Sequence, residues 1–225
     1  MYVLVSNRRW NKNICSFLAK KGIEIIFLEN KSKLTYEYLR SINPRYIFFP
    51  HWSYIIPDEI YENFECVIFH MTDVPFGRGG SPLQNLISRG IYETQISALL
   101  CQRELDAGPV YLKMPLSLHG SAEEIYLRAS KIMEEMILYI IKNEPKPQEQ
   151  CGEVVTFVRR TQAEGNISEL SNLEQVFDYI RMLDAEEYPK AFLETDYFRF
   201  EFTRSALKQD SIVADVKITM KKAGI

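Results

Sequence analysis

Three short apolar runs near the start of the chain, separated by stretches with helical spacing, constrain the fold more than any other feature. Tyr2–Ser6 reads as a buried strand, Ile23–Leu28 as a second and Tyr46–Phe49 as a third. Between the first two, Ile14, Phe17 and Leu18 recur on one face of a helix over Asn13–Lys21, and Gly22 is a stop signal. Between the second and third, Leu34–Ser41 forms a short helix. Strands that alternate with helices at this spacing form a parallel sheet covered on both faces. The pattern continues with a short helix at Pro57–Tyr61 and a strand at Val67–His70. A helix follows over Gly80–Ser88, then strands at Thr94–Arg103 and Val110–Pro115. Ser121 and Glu124 make a capping box that opens a long amphipathic helix to about Ile141.

The run Asn143-Glu144-Pro145-Lys146-Pro147-Gln148 breaks this pattern and marks a boundary. The expected organisation is a core over 1–145 and a small C-terminal α+β subdomain over 146–225. The second part contains strands near 154–159, 198–203 and 212–220 and a helix at Leu173–Leu183.

Composition narrows the class. Net charge is −3, which gives no electrostatic case for a nucleic-acid partner. No window approaches 18 apolar residues, so no membrane span is expected, and the N-terminus has no signal-peptide pattern. Cys15, Cys66, Cys101 and Cys151 lack CxxC spacing and read as reduced thiols of a cytoplasmic protein. No clustering of His, Asp and Glu points to a metal.

In an open parallel sheet, ligands bind beyond the carboxyl ends of the strands. That edge collects Asn7, His51, His70 and Asp106. His70 precedes a loop of Gly and Pro, Met71-Thr72-Asp73-Val74-Pro75-Phe76-Gly77-Arg78-Gly79-Gly80-Ser81-Pro82. Asp106 lies in Leu105-Asp106-Ala107-Gly108, before Pro109. An imidazole and a carboxylate held at neighbouring strand ends can move protons between them. Asn7, Arg9 and Trp10 follow the first strand and are candidates to meet a substrate diphosphate or base. His119 reads as structural.

These segments resemble the formyltransferases that use N10-formyltetrahydrofolate. The motif positions are Ile68-Phe69-His70, Thr72-Asp73-Val74-Pro75, Arg78-Gly79, Pro82 and Leu105-Asp106-Ala107-Gly108. Segments at 157–161 and 188–192 resemble the start of the family's C-terminal region, which looks shortened. The resemblance implies a Rossmann-like formyltransferase core with N10-formyltetrahydrofolate as co-substrate and no metal. It implies a pterin slot lined by Pro50, Trp52, Ile55, Cys101, Arg103 and Leu105. Thr72, Gly77, Arg78 and Gly79 become substrate-binding candidates.

Residues 69–82 look most like the nucleotide-sugar branch. The implied acceptor is the amine of a UDP-linked 4-amino-4,6-dideoxy-N-acetyl-altrosamine, in surface-glycan biosynthesis. The expected partner is therefore a nucleotide sugar, with no nucleic acid and with a homodimer as an option. The alternatives are a methionyl-tRNA formyltransferase, a glycinamide ribonucleotide formyltransferase and a non-catalytic folate or nucleotide-sugar binding module. The methionyl-tRNA reading is set behind because it asks for a basic face and a larger C-terminal domain.

Formyl transfer requires stabilisation of an oxyanion and removal of a proton from the attacking amine. His70 and Asp106 suit those tasks. The family has an Asn two residues before its His, where this chain has Ile68. An aliphatic side chain donates no hydrogen bond, so His51 is the candidate replacement.

Overall fold

The computed structural model describes residues 1–221. Contacts divide the chain into two compact units. The first comprises Met1–Gly79, Thr94–Leu116 and Tyr126–Phe157, and the second Gly80–Glu93, Ser117–Ile125 and Val158–Ile225. The expected boundary at 145/146 is one cut, whereas the contacts divide the chain at several points.

The first unit is built on a six-stranded sheet. Its strands are β1 (Tyr2–Val5), β2 (Ile25–Leu28), β3 (Tyr46–Pro50), β4 (Cys66–His70), β6 (Glu93–Leu100) and β7 (Val110–Ser117). Their order across the sheet is β2-β1-β3-β4-β6-β7. The pairs β1–β2, β1–β3 and β3–β4 are parallel, and β4–β6 is antiparallel. The strand-helix alternation thus yields the expected largely parallel sheet. Helix α1 (Lys12–Lys20) buries Ile14 and Leu18, the residues picked out by its spacing. Thr35 caps α2 (Tyr36–Ile42), its hydroxyl accepting from the Tyr38 amide at 3.3 Å. A four-residue helix α3 (Asp58–Tyr61) leads into β4.

The period of two along each strand sorts side chains between the faces. Val3, Val5, Ile47, Phe49 and Cys66 form one core cluster with Leu28, Leu39 and Ile60, and Ile68 packs against it. Ile68 is therefore held by apolar packing, at the position where the resemblance implies a polar side chain. Helix α5 (Ala122–Asn143) buries Ile125, Tyr126, Ala129, Met133, Met136, Ile137 and Ile140 along one stripe. Its entry is the expected capping box. Ser121 Oγ accepts from the Glu124 amide at 3.3 Å and the Glu124 carboxylate accepts from the Ser121 amide at 2.7 Å.

One element departs from expectation. The segment read as a plain loop contains β5 (Phe76–Gly79), which pairs in parallel with β8 (Val155–Phe157). A two-glycine stretch carries no strand alternation, and its partner lies far along the chain.

The second unit contains α4 (Pro82–Ile87), α6 (Leu173–Leu183) and an antiparallel sheet of β9 (Ala191–Glu194), β10 (Phe198–Leu207) and β11 (Ile212–Met220). The strands expected near 198–203 and 212–220 are β10 and β11, the one expected near 154–159 is β8 of the first unit, and β9 adds one that four residues of sequence did not announce. Asn172 caps α6 through the Gln175 amide at 2.8 Å. Arg181 is buried with Asp178 at 2.6 Å and donates to the Leu118 carbonyl at 2.6 Å. His119 is exposed and its ring stacks on Tyr92. Among the described residues, no helix is long and apolar enough to cross a membrane.

Candidate active site

β4 delivers His70 to the carboxyl edge of the sheet, opposite Ser97 of the antiparallel β6. The Ser97 hydroxyl donates to the Thr72 carbonyl at 2.8 Å and holds the chain as it leaves the sheet. β5 then returns Gly77 beneath the imidazole. His70 Nε2 lies 2.7 Å from the Gly77 carbonyl, and the Thr72 hydroxyl donates to the same oxygen at 3.3 Å. A carbonyl only accepts, so Nε2 carries a proton.

Asp106 comes from the turn between β6 and β7, with its backbone in the left-handed region at φ 53°. Its Oδ2 lies 3.4 Å from His70 Nδ1 and accepts from the Gly79 amide at 3.0 Å. Both side chains are more than nine-tenths buried. His70 thus sits between two acceptors, a carbonyl at Nε2 and a carboxylate at Nδ1.

Two glycines make this approach possible. A Cβ on Gly79, whose φ is 106°, would lie 2.4 Å from the Phe157 carbonyl oxygen. A Cβ on Gly108 would lie 1.8 Å from the Leu100 carbonyl oxygen. Any side chain at either position would push the β5 strand or the Asp106 turn out of place.

The other residues expected at the site divide into groups. Thr72 and Gly77 are buried and hold the loop. Arg78 is partly buried, and its Nε and Nη2 donate to Gln150 Oε1 at 3.1 and 2.8 Å. Pro50 is buried, and its carbonyl accepts from Ser6 and Asn11. Trp52 packs on Phe49 and Tyr54, and its indole N–H is buried without a partner among the described residues. Ile55 and Leu105 are exposed at 76% and 57%. Arg103 is also exposed. The Cys101 thiol is pushed up to about 11, by burial first and the Asp106 charge second. It stays a neutral thiol near pH 7.

His51 does not extend β3. Its backbone turns into the left-handed region at φ 50°, and its ring lies 5.4 Å from Trp10 and 4.6 Å from Tyr126. Burial, with the nearby Arg8 charge second, lowers its pKa to about 3. The ring is neutral at pH 7 in an aromatic cluster. Trp10 is itself buried, stacked on Tyr126 at 5.0 Å. Arg9 is exposed, while Asn7 borders a cleft of about 510 Å3 with Glu29, Lys31, Lys33 and Tyr54.

Gln150 was not picked out from sequence. Its amide accepts from Arg78 and donates to the carbonyls of Asp106 and Gly108 at 2.9 and 2.8 Å. It follows the Pro-Lys-Pro break, where a polar residue reads as linker.

Comparison with known proteins first fixes the class. HypX from Aquifex aeolicus, in complex with tetrahydrofolic acid, superposes with a TM-score of 0.74 at 18% identity, over 91% of this chain and 37% of that one. At that identity the likeness carries the fold alone. Residues 162–219 match the C-terminal domain of methionyl-tRNA formyltransferase. The methionyl-tRNA formyltransferase of Dictyoglomus turgidum is 25% identical over 96% of this chain and 75% of its own length. The chain spans about half the length of several other curated relatives of that name. The structure of a methionyl-tRNA formyltransferase from Clostridium thermocellum is 48% identical, covers 98% of this chain and 99% of its own, and superposes with a TM-score of 0.95. The protein is thus an N-formyltransferase with a Rossmann-like fold. It belongs to the methionyl-tRNA formyltransferase family.

This corrects the nucleotide-sugar reading. The 48% identical, full-length relative and the match at 162–219 place the chain with methionyl-tRNA formyltransferases, not the sugar branch. The Gly-Pro loop after His70 led to the wrong branch, because its glycines answer to packing on β8. The surface-glycan role and nucleotide-sugar partner fall with that reading. The exclusion of a nucleic-acid partner falls too, because net charge averages over the chain. The first 33 residues hold seven Lys and Arg against two Glu.

Proposed function

We propose that the protein transfers a formyl group from N10-formyltetrahydrofolate to the amino group of methionyl-tRNA, in the cytoplasm. The likeness to the Clostridium thermocellum enzyme over both full lengths carries this reading. The local excess of cations supports it, with Lys31 and Lys33 beside a cleft at the carboxyl edge of the sheet. Lys and Arg placed in this way meet phosphates.

In this reading the exposed Ile55 and Leu105 suit apolar cover for a flat heteroaromatic donor. Acyl transfer then asks two things of the protein. A donor must face the oxygen that gains charge, and a base must take the proton from the amine. His70 supplies the donor through its Nε2–H, which the incoming formyl oxygen takes over from the Gly77 carbonyl. Asp106 lies beside the ring at Nδ1 and its carboxylate accepts the proton that the attacking amine releases. With Ile68 in place of the family's Asn, His70 carries more of the oxyanion's stabilisation. His51, neutral and packed among aromatics, serves as support for the first loop and not as that missing donor.

The test is formylation of methionyl-tRNA with N10-formyltetrahydrofolate, followed by release of tetrahydrofolate. Turnover that appears with a UDP-linked amino sugar and not with methionyl-tRNA would sink the proposal.

A further inference from the structure

We propose that Gln150 is a positioning residue that sets the place of Asp106 relative to His70. The inference rests on the reading of His70 and Asp106 as the reacting pair. Gln150 makes four hydrogen bonds with one amide. Its Oε1 accepts from Arg78 Nε and Nη2, and its Nε2 donates to the Asp106 and Gly108 carbonyls. The chemistry of the partners fixes the amide's orientation. A guanidinium only donates and a carbonyl only accepts, so the oxygen must face Arg78 and the nitrogen must face the turn.

The two ends of this bridge are the two backbones that frame the pair. Arg78 lies between Gly77, whose carbonyl meets His70, and Gly79, whose amide meets Asp106. Asp106 occupies a left-handed backbone conformation, which Asp adopts more readily than most residues and which contacts to its main chain hold in place. Gln150 is the side chain that grips the main chain at that residue and two residues on. No other uncharged side chain but Asn offers both an acceptor pair and a donor pair, and Asn is one methylene shorter. Glu would keep the Arg78 contact and turn an acceptor toward two carbonyls. The bridge therefore asks for Gln by chemistry and by length.

Gln150→Glu and Gln150→Met in the full chain test this. Displacement of a reacting group by about 1 Å can cost ~100-fold in rate. Each variant is expected to lower kcat by about 10- to 100-fold, with KM for N10-formyltetrahydrofolate and for methionyl-tRNA within about twofold of native. Adding Gln150→Glu to Asp106→Asn should cost little more than Asp106→Asn alone, because both act through one carboxylate. Native kcat in Gln150→Met, or a loss in the double variant equal to the product of the single losses, would overturn the proposal. So would a rise in both KM values with unchanged kcat. If His70→Ala were fully active, the reading of the pair itself would have failed. If His70→Ala were inactive and both Gln150 variants ran at native speed, only the role of Gln150 would fall.

Discussion

Asp106 Oδ2 stands 3.4 Å from His70 Nδ1 and 3.0 Å from the Gly79 amide. One carboxylate oxygen thus faces the imidazole and the glycine strand together, and the opposite ring nitrogen meets the carbonyl of Gly77. The four groups form a closed ring of contacts, so a change in any one is felt by the others.

His70→Ala should lower kcat by about 10²- to 10⁴-fold, the range for loss of a group that moves a proton or faces an oxyanion. Asp106→Asn should fall in the lower part of that range. The double variant should lose little beyond His70→Ala, since the two act as a unit. Steady-state kinetics of the three variants check this, and multiplicative losses would show that they act separately.

Gly79→Ala should damage both stability and rate. Its Cβ would press on the Phe157 carbonyl oxygen, which is backbone and cannot rotate away. Strain of this kind costs about 1–3 kcal/mol. Relaxation would carry the Gly79 amide away from Asp106, so kcat should fall as well. Urea unfolding combined with the formylation assay separates the two effects. A variant with native stability and rate would show that the β5–β8 pairing is looser than described.

His51 gives a pH signature in stability. Its pKa is lowered to about 3 in the folded protein from an ordinary 6.5. Above pH 6.5 it is neutral in both states and contributes no pH dependence. As pH falls below 6.5 the unfolded chain binds a proton that the folded chain refuses, so stability is lost down to about pH 3. By linkage the loss from this residue between pH 7 and pH 5 is about 2 kcal/mol. His51→Phe removes that component and keeps a ring against Trp10 and Tyr126. Urea midpoints at the two pH values should therefore differ less in the variant. An equal difference in both proteins would show that His51 binds its proton in the folded state.

Lys31→Ala and Lys33→Ala test the nucleic-acid side. Each should raise KM for methionyl-tRNA and reduce the salt dependence of that KM by about one unit of log–log slope. KM for the formyl donor should not change. Equal salt dependence in native and variant proteins would remove this cleft from the tRNA path.

Much of the core was legible because strand-helix alternation and the period of two leave strong marks. Helix α6 and strand β11 fall where their patterns place them. The strand β5 was not legible. Phe76-Gly77-Arg78-Gly79 shows no alternation, and its glycines serve close approach to β8 rather than a flexible loop. His70 and Asp106 stand out as reactive types beside turn residues. Gln150 does not, because its importance lies in two carbonyls and a guanidinium that only the fold brings to it. The supporting role we propose for His51 was not legible either, because sequence registers the ring but not the left-handed turn that sends it toward Trp10 and Tyr126. The substrate was misjudged for a different reason. Net charge near zero conceals an N-terminal segment rich in Lys and Arg.

The most direct measurement compares acceptors in one assay. The protein is incubated with N10-formyltetrahydrofolate and either methionyl-tRNA or UDP-linked 4-amino-4,6-dideoxy sugars, and tetrahydrofolate release is followed. Release with methionyl-tRNA, abolished in His70→Ala, is the result expected. Release only with an amino sugar, or undiminished release in His70→Ala, would contradict the account.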